Sequence, residues 1–225
     1  MTTIRLLGET LTVTMASSTG PHGTNQDSCG WYARTSEGAF LDGTPVDSPG
    51  GEFLVAIVCD GLGGLEHGET ASRMVVDTVL HTASSVESHG LLMQALLVAL
   101  IQCETAIPEG SGTTVAMIVG TPEGWFTVHL GDSRCHAVLP FEVRRTTDHT
   151  PREGSNLVSR FIGNGDPIPE VNPVDRFNLL CITSDGVHSQ PGFEEVLRQS
   201  MTASDLLPPV PWDDATAVHI MPRLS

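Results

Sequence analysis

Residues 53–61, Phe53-Leu54-Val55-Ala56-Ile57-Val58-Cys59-Asp60-Gly61, decide the fold. Seven apolar residues in a row, stopped by Asp-Gly turn chemistry, read as a buried strand. Two helices are expected downstream. Residues 68–85 place Ala71, Met74, Val75 and Val79 near a helical period, and 91–106 are apolar on most faces, with the Met and Leu residues of 91–101 in the core. Strands resume at 113–119, 125–130, 134–139 and 141–145. A polar stretch, 146–176, holds one short helix at 157–162; a strand at 177–183, a helix at 193–199 and a last strand at 215–221 follow. Upstream, 10–16 alternate as a strand and 28–33 read as its partner across the loop 20–27, while 42–51, rich in Gly, Pro and Asp, read as loop. Helices grouped between runs of strands indicate α+β with largely antiparallel sheets, in one domain spanning 1–225.

Composition narrows the function. With 40% hydrophobic and 17% charged residues the 225-residue chain is neither disordered nor a coiled coil. Its 27 acidic residues face 11 basic ones, all Arg, for a formal net charge of −16. Such a surface repels nucleic-acid phosphates and anionic lipid, so neither is expected as a partner. Cys29, Cys59, Cys103, Cys135 and Cys181 are widely spaced and form no CxxC pair, which points to a reducing compartment without disulfides or a zinc site. The first residues lack a signal-peptide layout, and the apolar run 91–101 is too short to span a bilayer. A cytoplasmic monomer is expected.

The acids fall at strand ends. Asp60 closes one apolar strand, Asp132 another and Asp185 a third; Asp213 and Asp214 stand just before the last, and Asp27 lies in the first tight loop. Any one of these is ordinary turn chemistry. Together they place carboxylates where a sheet sandwich would bring them to one edge, and clustered carboxylates stay ionised only around a cation. Oxygen-only ligands suit Mg²⁺ or Mn²⁺. In Asp60-Gly61-Leu62-Gly63-Gly64 the missing Cβ atoms let backbone approach an ion or phosphate, and a Gly carbonyl can add a neutral ligand. Two such ions would clamp a phosphate and acidify water, the design of a phosphate-ester hydrolase.

Six segments in order then carry a resemblance: Asn25-Gln26-Asp27, Asp60-Gly61-Leu62-Gly63-Gly64, Gly112-Thr113-Thr114, Gly131-Asp132-Ser133-Arg134, Ser184-Asp185-Gly186 and Asp213-Asp214-Ala215-Thr216. This series resembles the metal-dependent protein phosphatases of type 2C in their compact bacterial form. The resemblance implies a four-layer αββα sandwich, two stacked antiparallel sheets flanked by helices, with a binuclear Mn²⁺ or Mg²⁺ centre at one end. It implies that Asp60 bridges both ions and the Gly61 carbonyl binds one, that Asp185 and Asp213 complete the ligand set of the second ion, and that Asp132 with Asp185 binds a looser third ion. Asp27 would hold metal-bound water. Phosphoserine and phosphothreonine in proteins are the implied substrates, linking the chain to a Ser/Thr kinase or its targets.

Several positions depart from the family pattern. His22 stands where relatives carry an Arg that forks onto the substrate phosphate, and is read as a substrate contact. Leu65 stands where bacterial relatives often have His, and Asp214 replaces an Asn, with register favouring Asp213 as the ligand. Residues 148–165 read as the remnant of a flap beside the site, and His149 and His188 as loop histidines. Two other functions stay open on the sequence: a non-catalytic binding module built on the same fold, and a phosphatase of a small phosphorylated metabolite.

Overall fold

The computed structural model describes residues 1–48, 50–62, 67–152 and 157–223. In chain order it runs β1 (Thr2–Leu6), β2 (Glu9–Ser18), β3 (Asp27–Thr35), β4 (Gly38–Leu41), β5 (Thr44–Val46) and β6 (Phe53–Asp60). The helices α1 (Gly68–Ser85) and α2 (His89–Ala106) follow, then β7 (Val115–Thr121), β8 (Gly124–Leu130), β9 (Arg134–Val138), β10 (Val143–Arg145), β11 (Glu170–Val174) and β12 (Leu179–Thr183). The short α3 (Asp185–His188) and α4 (Phe193–Gln199), a 3-10 turn (Ala203–Leu206) and β13 (Ala215–Pro222) complete it. One sheet has the order β1-β2-β13-β12-β9-β10 and the other β11-β8-β7-β6-β3-β4-β5, with every pairing antiparallel.

Strand β6 shows why an unbroken apolar run was needed. Phe53, Val55, Ile57 and Cys59 face a core shared with α1 and α2, whereas Leu54, Ala56 and Val58 face the second core between the sheets. Successive side chains leave a strand on opposite faces, so a strand with a dry layer on each side has no polar face to offer. Strand β7 repeats the pattern, with Val115, Met117 and Val119 on one side and Ala116 and Ile118 on the other. A third cluster, including Cys181, Ala217, Val187, Phe193, Leu197 and Leu206, covers the outer face of the six-stranded sheet. Helices, sheet, sheet and helices thus form the four layers.

The structure corrects several sequence expectations. Strands β2 and β3 are not partners: β2 pairs with β1 and β13, and β3 with β6 and β4 in the other sheet. The loop between them crosses from sheet to sheet instead of turning a hairpin. Residues 157–162 form no helix; Ser159 N–H donates to the His149 carbonyl (2.7 Å) and Ile162 bridges to Thr113. In α2 only the stripe Leu92, Leu96, Leu100 and Cys103, with Ala99, is buried, while Leu91, Val98 and Ile101 are exposed. This helix is an outer layer with one neighbour face, not a central one. Residues 44–46 form strand β5 inside the expected loop, and β1, β4 and β11 were not anticipated.

Candidate active site

Strand polarity gathers the acids. Because β3 and β6 are antiparallel and in register from Asp27 opposite Asp60, the first residue of one lies beside the last of the other. In the facing sheet, Thr183 at the end of β12 pairs with Arg134 at the start of β9 and with Ala217 near the start of β13. Asp185, Asp132 and Asp213 therefore leave that sheet at a common end. The charges of Asp27, Asp185, Asp132 and Asp213 all act on Asp60, and those of Asp132, Asp213 and Asp27 on Asp185. All five acids expected at the centre are brought together.

Each is fixed by neighbours. The Ser184 hydroxyl donates to Asp27 Oδ2 (2.7 Å) and accepts from Thr216 N–H (2.9 Å), tying β3 to β12 and β13 across the sandwich. Asp60 N–H donates to Thr114 Oγ1 (3.0 Å), its carbonyl accepts from Thr113 Oγ1 (2.9 Å), and Thr114 Oγ1 lies 2.7 Å from Ser133 Oγ. Gly112-Thr113-Thr114 thus supports the site by hydrogen bonding rather than by packing alone. Gly61 N–H donates to the Gln26 carbonyl (3.0 Å), and a Cβ at Gly61 would sit 2.3 Å from the Gly68 carbonyl oxygen at the start of α1. Only glycine permits that approach. Gly63, Gly64 and Leu65 lie outside the described residues, as do 153–156 of the segment read as a flap.

The adjacent acids Asp213 and Asp214 have different surroundings. Asp214 is buried, and both its oxygens are taken: Gly20 N–H donates to Oδ1 and Gln26 N–H to Oδ2, each at 2.7 Å. It staples the loop that delivers Asp27. Asp213 is half-buried, accepts Asp214 N–H on Oδ1 (2.8 Å) and belongs to the acid cluster.

His22 stands exposed in the turn 21–24, with no hydrogen bond or ion pair joining it to the acids among the described residues. His188 is not a loop residue but a buried member of α3. Its Nδ1 lies 3.0 Å from Thr183 Oγ1, which in turn lies 3.0 Å from His136 Nε2, a chain beneath Asp185. His149 Nδ1 accepts Gly131 N–H (3.0 Å), and its own N–H donates to the Gly131 carbonyl (2.7 Å), so it clasps the Asp132 turn. Ser184, Thr216 and His136 carry no expected ligand role in the sequence, yet hydrogen bonds tie them to the site. Ser184 and Thr216 stand in two of the six motif segments, with Asp185 and with Asp214, whereas His136 is an ordinary strand residue without a local signal.

The electrostatics are those of an unbalanced site. Loss of solvent pushes Asp27 and Asp132 up to about 6 and Asp185 up to about 7, with neighbouring carboxylates adding to each rise. Asp60 is pushed well above the usual carboxylate range, first by burial and then by four other acids. The nearby guanidinium of Arg134 is engaged by both oxygens of Asp148 (2.7 and 2.6 Å). Among the described residues, Asp27 Oδ1 is buried without a hydrogen-bond partner. An orphaned carboxylate oxygen among further acids, with oxygen donors only, fits hard divalent cations.

A fold of two antiparallel sheets with acids converging at one end defines a class. The Protein phosphatase 2C family profile matches residues 24–210, and the chain belongs to that family. The serine/threonine protein phosphatase PstP of Mycobacterium tuberculosis is 25% identical over 202 residues, which cover 76% of this chain and 38% of PstP. The chain therefore spans well under half the length of that curated relative. Among solved structures, the S. agalactiae serine/threonine phosphatase superposes with a TM-score of 0.74 at 18% identity, covering 94% of this chain and 99% of that one. The catalytic domain of PstP in complex with two manganese ions superposes with a TM-score of 0.70 at 21% identity, covering 94% and 98%. These structures share the fold.

Proposed function

We propose that this protein is a Mn²⁺- or Mg²⁺-dependent protein serine/threonine phosphatase. The observation that carries the reading is the convergence of Asp27, Asp60, Asp132, Asp185 and Asp213, with Asp27 Oδ1 left unpartnered. Family membership and the similarity to a manganese-containing PstP domain support it. Asp60, Asp185 and Asp213, with the Gly61 carbonyl, would hold two ions, and Asp132 with Asp185 a third. Bound there, such ions supply Lewis acidity: they acidify water and offset negative charge on the phosphoryl oxygens. Asp27 acts on the attacking water. Ser184 locks one of its oxygens, so the other is free to orient water and take up its proton. A P–O bond forms to water, the ester P–O bond breaks, and a proton passes to the departing seryl or threonyl oxygen. Asp214 keeps the Asp27 loop in place for this step.

His22 is the residue we assign to greeting the phosphate from its exposed turn. The protein acts in the cytoplasm on targets of a Ser/Thr kinase, as a monomer. Five free thiols support a reducing compartment, and a net charge of −16 disfavours self-association. The test is hydrolysis of p-nitrophenyl phosphate and a phosphothreonine peptide with Mn²⁺, and its loss with EDTA. No turnover with any divalent ion would overturn the reading.

A further inference from the structure

Each sheet ends in a short edge strand, β10 in one and β11 in the other, and a cavity of about 290 Å³ opens between them. Arg144, Arg145 and Arg176 line it. Three of the eleven basic residues of a chain with net charge −16 thus surround one cavity. Arg144 reaches Glu142 (2.6 Å). Arg145 and Arg176 are exposed, and neither has a hydrogen bond or ion pair among the described residues. Two acids share the lining. Glu170 is engaged by His149 (3.2 Å) and lies 3.9 Å from Arg160, which leaves Asp175 as the remaining acid. The groove is a positive place on a negative molecule.

Its Arg145 side lies toward the acid-bearing end of the sheet. Arg145 pairs with His136 in register, and three residues further on Asp148 is gripped by Arg134, two residues from Asp132. Three extended residues cover about 10 Å. A peptide with its phosphorylated residue at the acids can therefore lay a neighbouring segment between the two edge strands.

We propose that this groove docks an acidic stretch of the phosphoprotein substrate, Asp or Glu side chains flanking the phosphorylated Ser or Thr. The catalytic half of this proposal rests on the phosphatase reading above. A molecule that repels anions elsewhere admits an anionic peptide where guanidinium groups lack internal partners, and the guanidinium fork matches a carboxylate. The groove thereby selects substrates by sequence context, not by the phosphate alone.

The test compares two phosphothreonine peptides, one with Glu and one with Gln at the flanking positions, alongside p-nitrophenyl phosphate. Wild type is expected to favour the Glu peptide in kcat/KM by about fivefold, an advantage that shrinks with added salt. The double variant Arg145→Glu/Arg176→Glu should lose the preference while its p-nitrophenyl phosphate turnover stays unchanged; Arg145→Gln/Arg176→Gln gives a milder version should the first fold poorly. Equal turnover of both peptides by wild type, or a preference that survives in a folded variant, overturns the proposal. Anisotropy of a labelled, unphosphorylated Glu peptide reads the groove without catalysis. Weaker binding to the variant supports docking even if no substrate is hydrolysed, and equal binding overturns it.

Discussion

Strand β3 carries a buried charge near each end, and the two are treated in opposite ways. At one end, Arg34 is 2% exposed. Its Nη1 donates to the Val86 carbonyl (2.8 Å), its Nη2 to Ser48 Oγ (2.8 Å) and the Ser84 carbonyl (3.2 Å), and its guanidinium lies 4.9 Å from the Phe53 ring centroid. Among the described residues, its Nε goes without a partner. At the other end, Asp27 is 8% exposed, has one oxygen held by Ser184 and the other without a hydrogen-bond partner among the described residues, and faces more carboxylates. A charge whose hydrogen bonds close within the protein belongs to the fold; one left open beside like charges keeps its lone pairs for an ion or a substrate. Burial alone does not separate the two.

The largest effect should come from Asp60→Asn. Removing the carboxylate at the centre of the cluster should cut kcat on the order of a thousandfold. The same change relieves repulsion, so in EDTA the variant should melt above wild type. A lower melting temperature in EDTA would show that the acids do not oppose one another. Arg34→Met is the converse experiment. It strands the Val86 carbonyl, leaves Ser48 Oγ and the Ser84 carbonyl with only their mutual bond (3.2 Å), and should lower stability by about 2 kcal/mol, while turnover per folded molecule stays as in wild type. A loss of turnover at a temperature where the variant is fully folded would join the two ends of β3 functionally.

The pH dependence sharpens the contrast. Carboxyls raised on folding hold their protons longer in the native state, so the metal-free protein loses their contribution as pH climbs through the raised values. Asp27 and Asp132, at about 6, have mostly spent that contribution by pH 6.5, so in the window above pH 6.5 the loss comes from Asp185, at about 7, and from Asp60, raised further. Below this window the buried histidines His129, His136, His188 and His219, all shifted down by burial, act in the other direction. In EDTA, stability should fall from pH 6.5 to 8 by on the order of 1 kcal/mol through Asp185, and further through Asp60. Saturating Mn²⁺ should abolish the fall, as denaturant titrations at the two pH values would show. An equal slope with and without Mn²⁺ would mean that the ion binds elsewhere.

The same distinction explains how far the sequence could be read. The run 53–59 and the acids at strand ends were legible, because a doubly buried strand and a charge at its terminus each leave a local mark. Partners were not. Nothing in residues 10–16 or 28–33 says that they enter different sheets, since alternation specifies a strand and not its neighbour. The short strands β1, β5 and β11 at sheet edges, and β4 beside one, bury few side chains and leave little pattern. The 157–162 segment looked helical from its apolar residues, yet its hydrogen bonds go to His149 and Thr113. Asp213 and Asp214 are chemically identical in the sequence, and only the two backbone donors on Asp214 reveal which of them is spent on the fold.

His22 supplies the smallest expected effect, because it is neither kind of buried charge. It stands in solvent on the loop that Asp214 staples, so its replacement disturbs no internal bond. His22→Arg should leave the melting temperature unchanged. A permanently charged fork at that position should lower KM for a phosphopeptide by about threefold, with kcat nearly constant, because an exposed grip on phosphate acts alike on the bound and the reacting ester. A change in kcat with KM fixed would instead mean that the turn closes onto the acids during the reaction, and the comparison between the ends of β3 would then extend to a group that moves between solvent and site.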